Sequence, residues 1–131
     1  MLYDALILGS GPAGLTAAIY AGRARLSTLV LAGNEMGGQM ARTDRMENYP
    51  GFPEGISGAE LSQLMQQQAE RFGAKVEMDE ATAVDLSKCP FRVTTYGGEQ
   101  EGQTLIIATG AAPRRLGVPG EQELTGRGVS P

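Results

Sequence analysis

The chain has 131 residues, 19 of them Gly, with one Cys, no His, no Trp, and 11 basic against 15 acidic side chains for a net charge of −4. One domain around one core suits this length; a lone thiol excludes a disulfide framework or a Cys-x-x-Cys pair within these residues, and the lack of His excludes Ser-His-Asp or Cys-His hydrolysis and His-ligated zinc. The acidic balance gives no footprint for nucleic acid or an anionic membrane, no run approaches the ~20 apolar residues of a membrane span, and the amino terminus lacks the basic start and apolar length of a signal peptide, so a soluble, cytoplasmic protein acting on a small molecule is expected.

Residues 3–8 form a short, nearly all-apolar run that stops at Gly9, as a parallel strand buried on both faces should. The glycine-rich stretch Gly9-Ser10-Gly11-Pro12-Ala13-Gly14 leads into an Ala- and Leu-bearing segment to Arg23, and Pro12 suits a first helical turn because no amide donor is needed there. Residues 28–31 (TLVL) are the next strand, so the helix links two strands at the spacing of a βαβ crossover. Residues 32–56 are rich in Gly, Pro, Asn and charge without a followable period, and a loop this long is expected to be functional.

Ser57-Gly58-Ala59-Glu60 has the spacing of a capping box, and Leu61, Leu64, Met65, Gln68 and Phe72 follow at helical intervals, with Gly73 placed to end the helix. Residues 75–78 and 81–86 read as short strands. Residues 91–96, the turn Gly97-Gly98 and the run 104–108 read as an antiparallel meander leading into a second fully apolar strand, broken by Thr109-Gly110-Ala111-Ala112-Pro113. The tail is turn-rich, and no internal repeat is present. The fold class is therefore α/β, a Rossmann-like three-layer sandwich with a parallel sheet and a small meander.

Gly9-x-Gly11-x-x-Gly14, after a strand and opening a helix, has the spacing of a dinucleotide-binding turn. Gly9 would make the tight turn, Gly11 would admit a pyrophosphate to the backbone, and Gly14 with small Ala18 would let the helix lie close on the sheet, its free amides facing the phosphates. A flexible glycine turn with no ligand is the bland alternative. The acidic residue expected about 20 positions on is replaced by Ala32, which weakens NAD as the ligand; Glu35 is the only nearby carboxylate, read as a solvated loop charge ahead of a ribose ligand. Gly37-Gly38-Gln39, Thr43 and Glu47-Asn48-Tyr49-Pro50-Gly51-Phe52-Pro53 suit a structured surface loop and a flat heteroaromatic ring equally.

These segments, together with Val84-Asp85-Leu86, Ala108-Thr109-Gly110-Ala111 and Gly126-Arg127-Gly128-Val129-Ser130, closely resemble the amino-terminal FAD-binding region of low-molecular-weight thioredoxin reductases, a branch of the pyridine nucleotide-disulfide oxidoreductases. The resemblance covers essentially the whole chain. It implies FAD on Gly9, Ser10, Gly11, Pro12, Ala13 and Gly14, with Glu35 and Gly38 beside that turn and Gln39, Thr43 and Asn48 near the flavin end. Val84 would supply backbone contacts near the adenine, and Ala108, Thr109 and Gly110 would line the cofactor. In that family a hydride passes from NADPH to FAD, and the reduced flavin then reduces a Cys-x-x-Cys disulfide that in turn reduces thioredoxin.

The resemblance also implies that residues 1–131 are an FAD-binding domain incomplete at its carboxy-terminal end. The NADPH domain with its redox cysteines and a returning segment that completes the FAD site lie outside the matching region, and the isolated chain is expected not to turn over. Cys89 matches neither redox cysteine and is read as an inert turn or core thiol; Arg114, Arg115, Glu121 and Glu123 are read as solvated surface charges. By the same resemblance the strand 104–108 lies beside the first strand and lacks its outer neighbour, an edge that invites a homodimer or aggregation. A cysteine-independent flavoprotein akin to ferredoxin reductases and a non-catalytic nucleotide-binding module are the competing readings.

Overall fold

The computed structural model describes residues 1–130; Pro131, the last residue of the expected domain, lies outside the described residues. Four parallel strands form the centre. These are β1 (Leu2–Leu8), β2 (Thr28–Leu31), β3 (Lys75–Glu77) and the second half of β6 (Gly98–Ile107), in the order β3-β2-β1-β6. All four β2 positions and the last four of β1 are buried, as the continuous apolar runs require of strands covered on both faces.

Alternation along these strands divides the core. Ile7 and Val30 face Ala18 of α1 (Pro12–Arg23) and Ala69 of α2 (Gly58–Arg71), whereas Leu6, Leu8, Leu29 and Leu31 face Val93 and Ala81 on the opposite side. Val93 belongs to β5 (Phe91–Thr95), which pairs antiparallel with β4 (Ala81–Asp85) and with the first half of β6. The meander therefore curls over the parallel strands, and the three layers are helices, parallel sheet and meander. This is the expected α/β sandwich.

Both long helices end in Schellman motifs. After α2, the Gly73 amide donates to the Glu70 carbonyl at 2.9 Å and that of Ala74 to Ala69 at 3.2 Å, with Gly73 at φ 94°. After α1 the corresponding position is Arg25, at φ 62°, which no glycine announced. Ser57 caps α2 by accepting from the Glu60 amide at 3.1 Å.

Several expectations need correction. Residues 32–56, expected as a loop without a followable period, contain a 3-10 helix, Gly38–Arg42, and an antiparallel bridge between Met46 and Ile56. The buried face of α2 is Leu61, Ser62, Met65 and Ala69, while Leu64 is exposed and so is Gln68, because the loop packs against Ser62 rather than against Leu64. The strand expected at residues 104–108 starts earlier, at Gly98, and ends at Ile107; it pairs with β5 up to Gly102 and with β1 from Glu101 onward. Its last residues, Ile106 and Ile107, are exposed, and among the described residues no strand pairs with that outer edge. The tail contains a short helix, α3 (Glu121–Leu124), and a bridge between Thr125 and Val129. Cys89 is exposed, so the turn reading stands and the core reading falls.

Candidate functional site

The parallel strands end in register. Leu8 lies opposite Leu31 on one side and Ile107 on the other, so the chain leaves β1, β2 and β6 at one level. In sheets of this order the crevice beyond the carboxyl ends, where neighbouring strands are followed by connections to opposite sides, is where ligands bind.

The turn after β1 is built for backbone approach. Gly9, at φ 112°, has no room for a side chain: a Cβ there would sit 2.0 Å from the Ala108 carbonyl oxygen. A Cβ on Gly14 would sit 2.0 Å from the Gly9 carbonyl oxygen, and Ala18, one helical turn on, is fully buried. These two residues do the packing assigned to them by spacing. Gly11 differs, since a Cβ there would meet nothing nearer than the Gly37 carbonyl oxygen at 3.9 Å. Space is left where a ligand would approach.

Gly11 is the N-cap of α1, with no side-chain cap and no acidic residue in the first turn; Pro12 opens the helix, and the first internal bond is Leu15 to the Gly11 carbonyl at 3.0 Å. The amides of Ala13 and Gly14 thus stand at the positive end of a 12-residue helix without a side chain to receive them. This geometry suits an anion.

Two further segments close on the turn. Ser10 is buried; its hydroxyl accepts from the Gly37 amide at 3.0 Å and lies 3.3 Å from the Ala32 carbonyl, to which it donates. Its side chain therefore ties the turn to the loop after β2. Gly37, at φ 85°, packs so closely on α2 that a Cβ would lie 2.2 Å from Ser62 Oγ, and a Cβ on Gly38 would lie 3.8 Å from Gly11 Cα. From the other side the Ala108 amide donates to the Leu8 carbonyl at 2.8 Å, and Gln39 Nε2 donates to the Ala111 carbonyl. Gly9, Ser10, Gly11, Pro12, Ala13, Gly14, Gly38, Gln39, Ala108, Thr109 and Gly110 are thereby brought to one place.

The remaining candidates stand further out. Thr43 donates weakly to the Gln39 carbonyl at 3.4 Å and shares a surface cleft with Asn48. The segment carrying Asn48 is anchored through Tyr49 and Phe52, which pack on Leu15, Met40, Leu61 and Met65. Val84 lies on β4, the edge strand at the meander end of the sheet, opposite Val93, and is exposed. Glu35 is gripped by Arg42: Nε donates to Oε1 at 2.7 Å and Nη2 to Oε2, and this hydrogen bonding holds the Glu35 carboxyl below its ordinary range. Each carboxylate oxygen retains acceptor capacity.

Sequence reasoning missed Arg42, the fit of Gly37 against Ser62, and Glu121. The last is no idle surface charge: its carboxylate accepts from the Leu116 and Gly117 amides at 3.0 and 2.8 Å, which lowers its pKa. No spacing signals an arginine seven residues from its partner. Among the described residues there is no cluster of side chains that could hold a metal ion, and no helix is long and apolar enough to cross a membrane.

Comparison with known proteins agrees with this geometry. The chain is 51% identical over 130 residues to the thioredoxin reductase of Mycolicibacterium smegmatis, covering 98% of this chain and 42% of that protein. It is 47% identical over 125 residues to the thioredoxin reductase of Vibrio cholerae, covering 95% and 39%. Among solved structures, a thioredoxin reductase from Streptococcus pyogenes superposes with a TM-score of 0.86 at 44% identity, covering 97% of this chain and 41% of that one. The chain thus spans about two-fifths of the length of these relatives and matches their amino-terminal region. The pyridine nucleotide-disulphide oxidoreductase family matches residues 3–131, and with the glycine turn, its helix and the two closing segments in place, the chain belongs to that family.

Proposed function

We propose that residues 1–131 are part of the FAD-binding domain of a thioredoxin reductase-like flavoprotein that acts in the cytoplasm. The observation that carries this reading is the uncapped start of α1 facing an open Gly11, with Gly38 and Ala108 closing on the same turn. A dinucleotide needs a place where phosphate oxygens meet backbone amides without a side chain between them, and this turn provides it.

The residues fit the group. Gly11, Ala13 and Gly14 would hold the pyrophosphate, Glu35 would face the ribose, and Val84 would present its edge-strand backbone to the adenine. Gln39, Thr43, Asn48, Thr109 and Gly110 would border the flavin. When bound, FAD supplies a redox-active ring system that takes up a hydride. The chain's own contribution is to bind and orient: backbone amides and short polar side chains would face the cofactor, with the Glu35 carboxylate toward its ribose. In the parent enzyme NADPH would be the reductant, and a redox disulfide followed by thioredoxin the acceptor. These 131 residues hold one cysteine and so no dithiol.

Titration of the purified, FAD-free chain with FAD and with FMN tests the reading. Saturable binding of FAD, at least tenfold tighter than FMN because FMN lacks the adenylate half, is expected. No binding of either, or equal binding of both, would overturn it.

A further inference from the structure

Gly37 and Gly38 form one wall of the cradle, and the short 3-10 helix that begins at Gly38 must hold that wall in place. Such a helix spans five residues, its hydrogen-bond geometry is poor, and it is marginal by itself. Its amino-terminal side is fixed by neutral contacts, namely the Gly37 amide on Ser10 Oγ and Gly37 against Ser62. Its carboxy-terminal end carries Arg42, whose guanidinium reaches back over the whole turn to grip Glu35 with two parallel hydrogen bonds. The negative partner stands before the helix and the positive one in its last turn, the order that the helix dipole favours. Two-pronged pairs of this kind fix orientation as well as distance.

We propose that Arg42 is a positioning residue for the cofactor: by gripping Glu35 across the Gly38–Arg42 turn it holds Gly37 and Gly38 against Gly11 and so sets the width of the dinucleotide cradle. The proposal rests on the FAD reading for its ligand, but the grip itself exists without one. Both side chains are partly exposed, at 70% for Arg42 and 39% for Glu35, so the clasp is open to screening by salt.

The test compares the parent chain with Arg42→Gln, Arg42→Lys and the swap Glu35→Arg/Arg42→Glu. Amide hydrogen exchange of residues 36–40 is followed in the FAD-free chains, and the FAD dissociation constant is measured at low and high salt. Arg42→Gln should speed exchange and weaken FAD by about two- to fivefold, the range expected of one exposed ion pair. High salt should speed exchange in the parent and leave that of Arg42→Gln unchanged. Arg42→Lys should recover part of both effects, and the swap should recover the slow exchange. Unchanged exchange in Arg42→Gln would overturn the clasp. A loss of FAD affinity without faster exchange would overturn it too, since the side chains would then act on the ligand directly. A parent chain that binds no FAD yet shows the exchange pattern would overturn the cofactor reading and uphold the clasp.

Discussion

Alanine at Gly14 and alanine at Gly11 should separate packing from ligand binding within a single turn. Gly14 lies inside α1, where replacing Gly by Ala ordinarily gains roughly 0.5–1 kcal/mol. Propensity alone predicts a more stable protein. Against it stands the Gly9 carbonyl, whose oxygen would lie 2.0 Å and whose carbon 3.0 Å from the new methyl, with Ile7 Cγ2 at 3.4 Å behind it. Ordinary contact requires these backbones to part by well over an ångström. Neither side is free to move, because the Gly9 amide is bonded to the Leu31 carbonyl at 2.9 Å and α1 is seated on the sheet through Ala18.

Overpacking of this kind costs about 1–3 kcal/mol, toward the upper end where the obstacle is backbone. Net of the helix gain, Gly14→Ala should destabilise the FAD-free chain by about 1–2 kcal/mol and lower its melting temperature by roughly 4–10 °C at this size. Gly11→Ala should do the reverse. Its methyl meets nothing nearer than 3.9 Å and its φ of −70° suits any residue, so stability should fall by no more than about 1 kcal/mol, the loss of a poorer N-cap. The same methyl enters the cradle and should weaken FAD at least about tenfold, or about 1.4 kcal/mol. Far-UV circular dichroism melts and flavin fluorescence titrations read the two effects. A Gly14→Ala chain as stable as its parent would refute the close approach of helix and turn, and full FAD affinity in Gly11→Ala would refute the phosphate site.

Removing the Ser10 hydroxyl by Ser10→Ala leaves the buried Gly37 amide without its acceptor and should cost about 1–3 kcal/mol in urea unfolding; a neutral result would mean that the loop is held by other contacts. Ile107→Lys, on the outer edge of β6 with which no strand among the described residues pairs, should shift sedimentation of the 131-residue chain toward monomer at high concentration, whereas unchanged association would place the contact elsewhere. The depressed pKa of Glu121, caused first by the Leu116 and then by the Gly117 amide, gives a pH dependence of known sign. Its contribution is present above the ordinary value of 4.5 and is lost as pH falls through the lowered folded value, so protection of those two amides should drop only below pH 4.5. Glu121→Gln should remove that transition, and its persistence in the variant would point to another carboxylate.

What the sequence made legible is what depends on neighbours in the chain. β2 falls on the apolar run 28–31 because burial on both faces demands such a run, and α2 starts after its cap Ser57 and ends before Gly73 because caps are local chemistry. The roles of Gly9 and Gly14 were legible because strand, turn and helix sit at fixed spacing. Long-range pairing hid the rest. The 3-10 helix at 38–42 is too short to show a period and is held by Ser10, Ser62, Glu35 and Ala111, none of which its own residues announce. The first half of β6 was hidden by a change of partner: polar residues suit its half in the meander and apolar ones its half beside β1, so only the apolar half read as a strand.

That change of partner also explains why the site consists of turns. β1, β2 and the end of β6 stop at one level, and the Ala108 carbonyl then lies where a Gly9 side chain would be. Three chain segments converge on the first turn of α1, and each can come close only if it is small there; Gly9, Gly37 and Ala108 meet that condition. On the proposed reading, this turn would meet the phosphates of its ligand through amides and space rather than through charged side chains. Substitutions at these positions should therefore rank by the volume they add rather than by the polarity they change, which separates a backbone cradle from a site built on side-chain chemistry.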